Sequence, residues 1–203
     1  ENITLNKDLT LQGAGAGLTI INAAGVVVSI PTAGSGSTVT GLSVSGGASG
    51  FKVDSANDVT LDGVAADGLT SYGVSLSGVN SDITLKNSSF SNNTTSGIKV
   101  PSTSRVTTLV IDTCTVDGNR YGIYAADGNA ATYQANVQLN GIAMSDSTFS
   151  NNSDKGMYIE SMSDALFERI EVVGSGGGTS GGSGSGIDIN LKYASYSNLT
   201  IRD

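Results

Sequence analysis

Histidine and tryptophan are absent from the 203 residues, cysteine occurs once, proline twice, and only ten residues are Lys or Arg against eighteen Asp and Glu. Each shortage removes a class of function. Without histidine there is no Ser-His-Asp or Cys-His triad, no imidazole metal ligand and no imidazole base near neutral pH. The single Cys114 excludes an internal disulfide and any multi-cysteine metal site, and reads as a small buried apolar residue. A formal charge of −8 with no basic stripe argues against a nucleic-acid backbone as partner. No apolar run approaches the roughly 20 residues that span a bilayer, and no signal peptide is recognisable.

What is abundant is glycine, at 28 residues, among Ser, Thr, Asn, Asp and β-branched apolar residues. With 38% hydrophobic residues the chain can still build a core. A glycine followed by an apolar-x-apolar triplet recurs at Gly25, Gly50, Gly73, Gly97, Gly122, Gly156 and Gly186. The first four steps define a period of about 24 residues, and the last two contain insertions. In a period-2 element the first and third residues after each glycine share a face. The expected inward ladder is therefore Val26, Phe51, Val74, Ile98, Ile123, Met157 and Ile187. Beside it run Val28, Val53, Leu76, Val100, Ala125, Ile159 and Ile189.

A second strand is expected at Val59–Leu61, Ile83–Leu85, Leu109–Ile111, Val137–Leu139, Phe167–Ile170 and Leu199–Ile201. A third is suggested by Ser88–Phe90, Cys114–Val116 and Ser147–Phe149. Asn92-Asn93, Gly118-Asn119 and Asn151-Asn152 mark tight turns, because Asn and Gly tolerate the left-handed backbone. At equivalent places in successive coils their amides could bond to one another. Leucine-rich repeats share the period but need more leucine than this chain has, and helical repeats fail on propensity. The fold expected is an all-β parallel β-helix of about eight coils, with about 24 residues and three short strands per coil.

The opening ENITLNKDLTLQGAGAGLTII resembles the first coil of bacterial and archaeal right-handed parallel β-helix proteins of the pectate-lyase-like superfamily. ITLKNSSFSNNTTSGIKV and IAMSDSTFSNNSDKGMYI resemble its internal repeat. The resemblance covers the whole chain and implies a right-handed helix. It leaves the chemistry open, because lyases, hydrolases, epimerases, tailspikes and adhesins share the repeat. The histidine and paired aspartates of the polygalacturonase-like branch are missing, and so is the Arg-x-Pro-x-x-Arg stretch of pectate and pectin lyases. A single domain over residues 1–203 is expected, with insertions at about 127–136 and 174–185 and with both ends read as cuts within a longer solenoid.

The outward side of the glycine-led strands is the most informative surface. The residue before each glycine and the residue two after it bring Tyr72, Lys99, Tyr121, Tyr124, Lys155, Tyr158 and Asp188 to one face, and the first insertion adds Tyr133. Aromatic rings flanked by Lys and Asp suit a polysaccharide or cell-surface glycan. No cofactor is required; calcium is the one ion the turn acids Asp54, Asp127, Asp146, Asp154 and Glu160 could serve. The six N-glycosylation sequons, such as Asn87-Ser-Ser, are read as turn composition. The function expected is a non-catalytic, secreted or cell-surface structural or adhesive module that binds glycans on this face. The alternatives are a fragment of a polysaccharide lyase or glycosidase and a self-assembling fibre subunit that associates end to end.

Overall fold

The computed structural model describes residues 1–126, 137–177, 184–192 and 195–203. Every strand pair among them is parallel, and successive coils stack into two long sheets and one thin one. The glycine-led strands form an eight-stranded sheet running from Ile3–Thr4 through Val26–Pro31, Ser49–Asp54, Tyr72–Ser77, Ser96–Lys99, Tyr121–Ala125 and Lys155–Ile159 to Ser185–Ile189. Eight strands less the two at the ends leave six with a neighbour on both sides, so the fully stacked turns are fewer than the eight coils expected. The second sheet runs from Thr10–Gln12 to Leu199–Arg202. The third side is a sheet only over Ile20–Asn22, Ser43–Ser45 and Ala65–Ala66. Beyond it single bridges join Ala65, Ser89, Thr115, Thr148 and Glu171, so the third strand expected in every coil shrinks to one residue.

Phe51, Val74, Ile98, Ile123 and Met157 stack in register and are fully buried, as the periodicity requires, whereas Ile187 in the last strand is exposed. Val26 does not belong to this ladder. Its strand is shifted by two, so that Val28 lies beside Phe51 and Ile30 beside Val53. The cause is that Gly25 is not equivalent to the later glycines. It has a φ of +71°, and a Cβ there would meet nothing within 4 Å. Gly73, by contrast, faces inward, and a Cβ would lie 2.7 Å from the carbonyl oxygen of Gly97 and 2.9 Å from Phe90 Cβ. One motif therefore hides two requirements, a left-handed turn in the first coil and close backbone stacking in the later ones.

The second sheet has its own punctuation. Asp58, Asp82, Thr108, Gly141, Asp164 and Asn198 all have positive φ, and each immediately precedes an inward pair. Those pairs are Val59/Leu61, Ile83/Leu85, Leu109/Ile111, Ile142/Met144, Ala165/Phe167 and Leu199/Ile201. Two expected strands are corrected accordingly. The one expected at Val137–Leu139 is Leu139–Ser145, with Ile142 opposite Leu109, and the one expected at Phe167–Ile170 is Ala165–Glu168, with Phe167 opposite Met144. Arg169, expected inside a strand, has a φ of 51° and lies in the following turn.

The turns into the glycine-led sheet behave as read. Asn92, Gly118 and Asn151 have φ of 57°, 67° and 52°. The next residue of each pair turns inward and is buried. The Asn93 N–H donates to Asn119 Oδ1 at 2.8 Å and the Asn119 N–H to Asn152 Oδ1 at 3.1 Å, while each side-chain amide donates to a main-chain carbonyl of an earlier coil. The ladder satisfies polar backbone that would otherwise be stranded in an apolar core. Cys114 is buried, and burial pushes its thiol up to about 11, which makes it a core residue and not a nucleophile.

Candidate functional site: a tyrosine and lysine face on the glycine-led sheet

Register arranges the outer face in two rows. One reads Ser49, Tyr72, Ser96, Tyr121, Lys155, Ser185. The other reads Lys52, Ser75, Lys99, Tyr124, Tyr158, Asp188. Residues three apart share this face because the intervening glycine breaks the alternation. A Cβ on Gly122 would point inward, 3.0 Å from Asn152 Nδ2 and 3.2 Å from Phe149 Cδ1, so Gly122 and Ile123 both face the core. Tyr121 and Tyr124 are thereby left side by side outside, with ring centroids 4.5 Å apart. Tyr158, one coil on, lies 5.6 Å from Tyr124. Such tilted pairs are within the favourable range for aromatic contacts.

Cations cover the rings. Lys99 Nζ sits 3.6 Å from the Tyr124 centroid, Lys155 Nζ 4.5 Å from that of Tyr158, and Arg120 Cζ 5.1 Å from that of Tyr121. The open ring faces expected for sugar stacking are thus largely occupied, and the surface offers hydroxyls, ring edges and positive charge instead. Carboxylates stand behind the cations. Arg120 pairs with buried Asp154 at 3.3 Å, Lys155 pairs with Asp188, and Lys192 pairs with buried Glu160, which also accepts the Tyr158 hydroxyl. The Tyr196 hydroxyl donates to the Lys192 carbonyl.

The electrostatics follow from this packing. Burial lowers the Lys99 ammonium to about 8, an effect that the Glu160 charge partly opposes. Burial also pushes Tyr121 and Tyr158 up to about 12, reinforced by hydrogen bonds to Asp154 and Glu160 respectively. Both phenols are therefore proton donors at neutral pH.

The structure brings together Lys99, Tyr121, Tyr124, Lys155, Tyr158 and Asp188. Tyr72 lies in the same row but is separated from Tyr121 by the Ser96 coil. Tyr133 and the first insertion lie outside the described residues, as does the middle of the second. Sequence reasoning missed Arg120, Asp154, Glu160, Lys192 and Tyr196 as members of the face. Arg120 and Asp154 were findable, since each stands two before the glycine in successive coils. The turn acids considered for calcium are engaged elsewhere: Asp54 with Lys52, Asp146 with Arg169, Asp154 with Arg120 and Glu160 with Lys192, while Asp127 lies outside the described residues. Among the described residues no three Asp, Glu or Cys side chains gather in a way that could hold a metal ion, and no helix is long and apolar enough to cross a membrane.

The fold is a parallel β-solenoid whose glycine-led sheet carries a tyrosine and lysine cluster on its outer face. The chain belongs to the family described as the right handed beta helix region, whose profile matches residues 7–140. No curated protein matches it. Solved structures similar in fold include the alginate lyase from Paenibacillus sp. str. FPU-7, with 19% identity, a TM-score of 0.63, and coverage of 83% of this chain and 62% of that one. The catalytic domain of GH87 alpha-1,3-glucanase in complex with nigerose gives 19%, 0.53, and coverage of 82% and 32%. The A-module of the Azotobacter vinelandii mannuronan C-5 epimerase AlgE6 gives 15%, 0.53, and coverage of 86% and 57%. The chain spans less than two thirds of each of these proteins.

Proposed function

We propose that this chain is a single, secreted or cell-surface β-helix module that binds a polysaccharide on its tyrosine and lysine face without turning it over. The observation that carries the reading is the contiguous set Tyr121, Tyr124 and Tyr158, held on rigid strands with Lys99, Lys155 and Arg120 over the rings. Preorganised rings, phenol donors and cations form a surface suited to hydroxyl-rich chains. The fold neighbours lend support, being named for alginate, mannuronan and alpha-1,3-glucan. The test is a glycan array, with and without calcium, comparing the wild type with a Tyr121→Ala, Tyr124→Ala, Tyr158→Ala variant. Binding by the wild type alone is the expected result; equal binding by both would move the site elsewhere.

A second reading, that the chain is part of a polysaccharide lyase, is favoured by one observation. Lys99, with its ammonium lowered to about 8, lies against the ring of Tyr124, which combines a base and a phenol on one face. A rise in ultraviolet absorbance on incubation with alginate, from the unsaturated product, would replace the first reading with this one.

A further inference from the structure

Four of the five cations on this face have a carboxylate of their own, Lys52 among them with Asp54. Arg120 has Asp154, Lys155 has Asp188 and Lys192 has Glu160. Among the described residues Lys99 has no such partner. Its ammonium is half-buried against the Tyr124 ring. The nearest influential acid is Glu160, whose Oε1 already accepts from both Tyr158 and Lys192. In the same row Lys52 lies two coils away and is paired with Asp54 at 2.6 Å. A cation held out of water without a counter-ion is costly unless something else supplies the negative charge.

We infer that Lys99 seats an acidic group of the bound polysaccharide, so that the ligand is an anionic glycan carrying carboxylates or sulfates on its sugars. The inference rests on the proposed glycan-binding reading and adds the ligand's chemical class and the residue that recognises it. The Tyr124 ring beneath the ammonium, Arg120 on the next coil and Lys155 on the coil after it would keep the acidic group in place, while the paired acids Asp154, Asp188 and Glu160 are set against their own cations.

A thermodynamic signature follows. Burial holds the free ammonium near 8, and a bound anion favours the charged form, so binding raises that value. Below about pH 8 Lys99 is already charged, and affinity does not change with pH. Above it, binding must take up a proton, and affinity falls by up to about tenfold per pH unit until the pKa of the complex is passed. A Lys99→Arg variant stays charged throughout, so its affinity has no such slope.

The experiment is isothermal titration of the whole chain with three oligosaccharides: one from alginate, one sulfated and one from neutral alpha-1,3-glucan. Each is run at about pH 7 and about pH 9, in buffers of differing ionisation heat, with wild type, Lys99→Arg and Lys99→Met. Expected are tighter binding of an acidic oligosaccharide, proton uptake only by wild type at the higher pH, and a loss of about tenfold or more at neutral pH in Lys99→Met. The alginate and sulfated arms tell a carboxylate from a sulfate ligand. Acidic glycan binding that is equal in wild type and Lys99→Met, or a preference for the neutral oligosaccharide, overturns the inference while leaving the face a glycan site. Failure of all three to bind removes the glycan-binding reading itself.

Discussion

The asparagine ladder and the tyrosine face occupy the same coils, a few residues apart, the first turned into the core and the second turned out of it. Inside the solenoid, Asn93, Asn119 and Asn152 repeat one residue and one bond from coil to coil, because each satisfies the main chain of its neighbours. Outside, the adjoining row changes at almost every step, from Ser75 to Lys99, Tyr124, Tyr158 and Asp188. Repetition marks what stacking demands. Variation at an equally rigid but outward position marks what stacking leaves free, and among the described residues it is there that a charged aromatic cluster has collected.

If that division is right, the largest effects on stability come from the ladder. Replacing Asn119 by Leu strips the buried Asn93 N–H of its acceptor and the Phe90 carbonyl of a donor. At about 1 to 3 kcal/mol for each stranded group the loss is about 4 kcal/mol, which lowers the melting temperature by about 10 °C in a domain of this size. Thermal unfolding followed by circular dichroism checks this. A drop of a degree or two would mean that the ladder is ornamental.

The two kinds of glycine sharpen the same point. Gly73→Ala forces a Cβ against the Gly97 carbonyl and Phe90, and is expected to cost about 3 kcal/mol. Gly25→Ala meets no atom and carries only the left-handed backbone penalty of about 1 kcal/mol. Denaturant midpoints of the two variants should fall in that order. Equal losses would remove the distinction between close stacking and turn geometry.

These same glycines show what was legible beforehand. The period, the parallel solenoid and most of the inner ladder could be read because stacked coils must bury like against like, and Phe51, Val74, Ile98 and Ile123 do so. Val26 misled because its glycine satisfies the same pattern for a different reason. The second strands expected at Val137–Leu139 and Phe167–Ile170 were misplaced because apolar spacing was followed without the left-handed residue ahead of each pair. Reading Gly141-Ile142 and Asp164-Ala165 by analogy with Asp58-Val59 would have found them. On the outer face the tyrosines followed from offsets to the glycine. Glu160, Lys192 and Tyr196 did not, because their meeting depends on Asn190 and Lys192 stacking beside Ile159 and Glu160 past the end of the last glycine-led strand, where no glycine marks the register.

On the other side of the comparison, function and stability should separate. Tyr124 lies between Tyr121 and Tyr158 and beneath Lys99, so Tyr124→Ala dismantles the cluster without touching a core contact or the ladder. Glycan binding should fall by tenfold or more, since loss of a central aromatic contact costs about 2 kcal/mol. The melting temperature should move by no more than about 2 °C. A variant that binds normally, or that unfolds as readily as Asn119→Leu, would collapse the division between the two sides.

The smallest effect is expected where a polar repeat position sits in water. Asp146 occupies a left-handed turn with a φ of 47°, in the row that also holds Asn87 with 50°, and its carboxylate pairs with Arg169 at 2.6 Å. The guanidinium holds the Asp146 carboxyl below the usual carboxylate range. A depressed acid stabilises the fold above its unfolded pKa, and the benefit is lost as pH falls through the folded value, so whatever this pair contributes disappears only in acid. The pair is exposed, however, and Arg169 keeps Glu168 at 3.2 Å when Asp146 is neutralised. Asp146→Asn retains a residue suited to the left-handed turn and removes only the charge. Its melting curve should overlay that of the wild type at neutral pH and the two should also coincide in acid; a clear loss at neutral pH would show that a solvent-exposed ion pair can matter to this solenoid as much as a bond inside it.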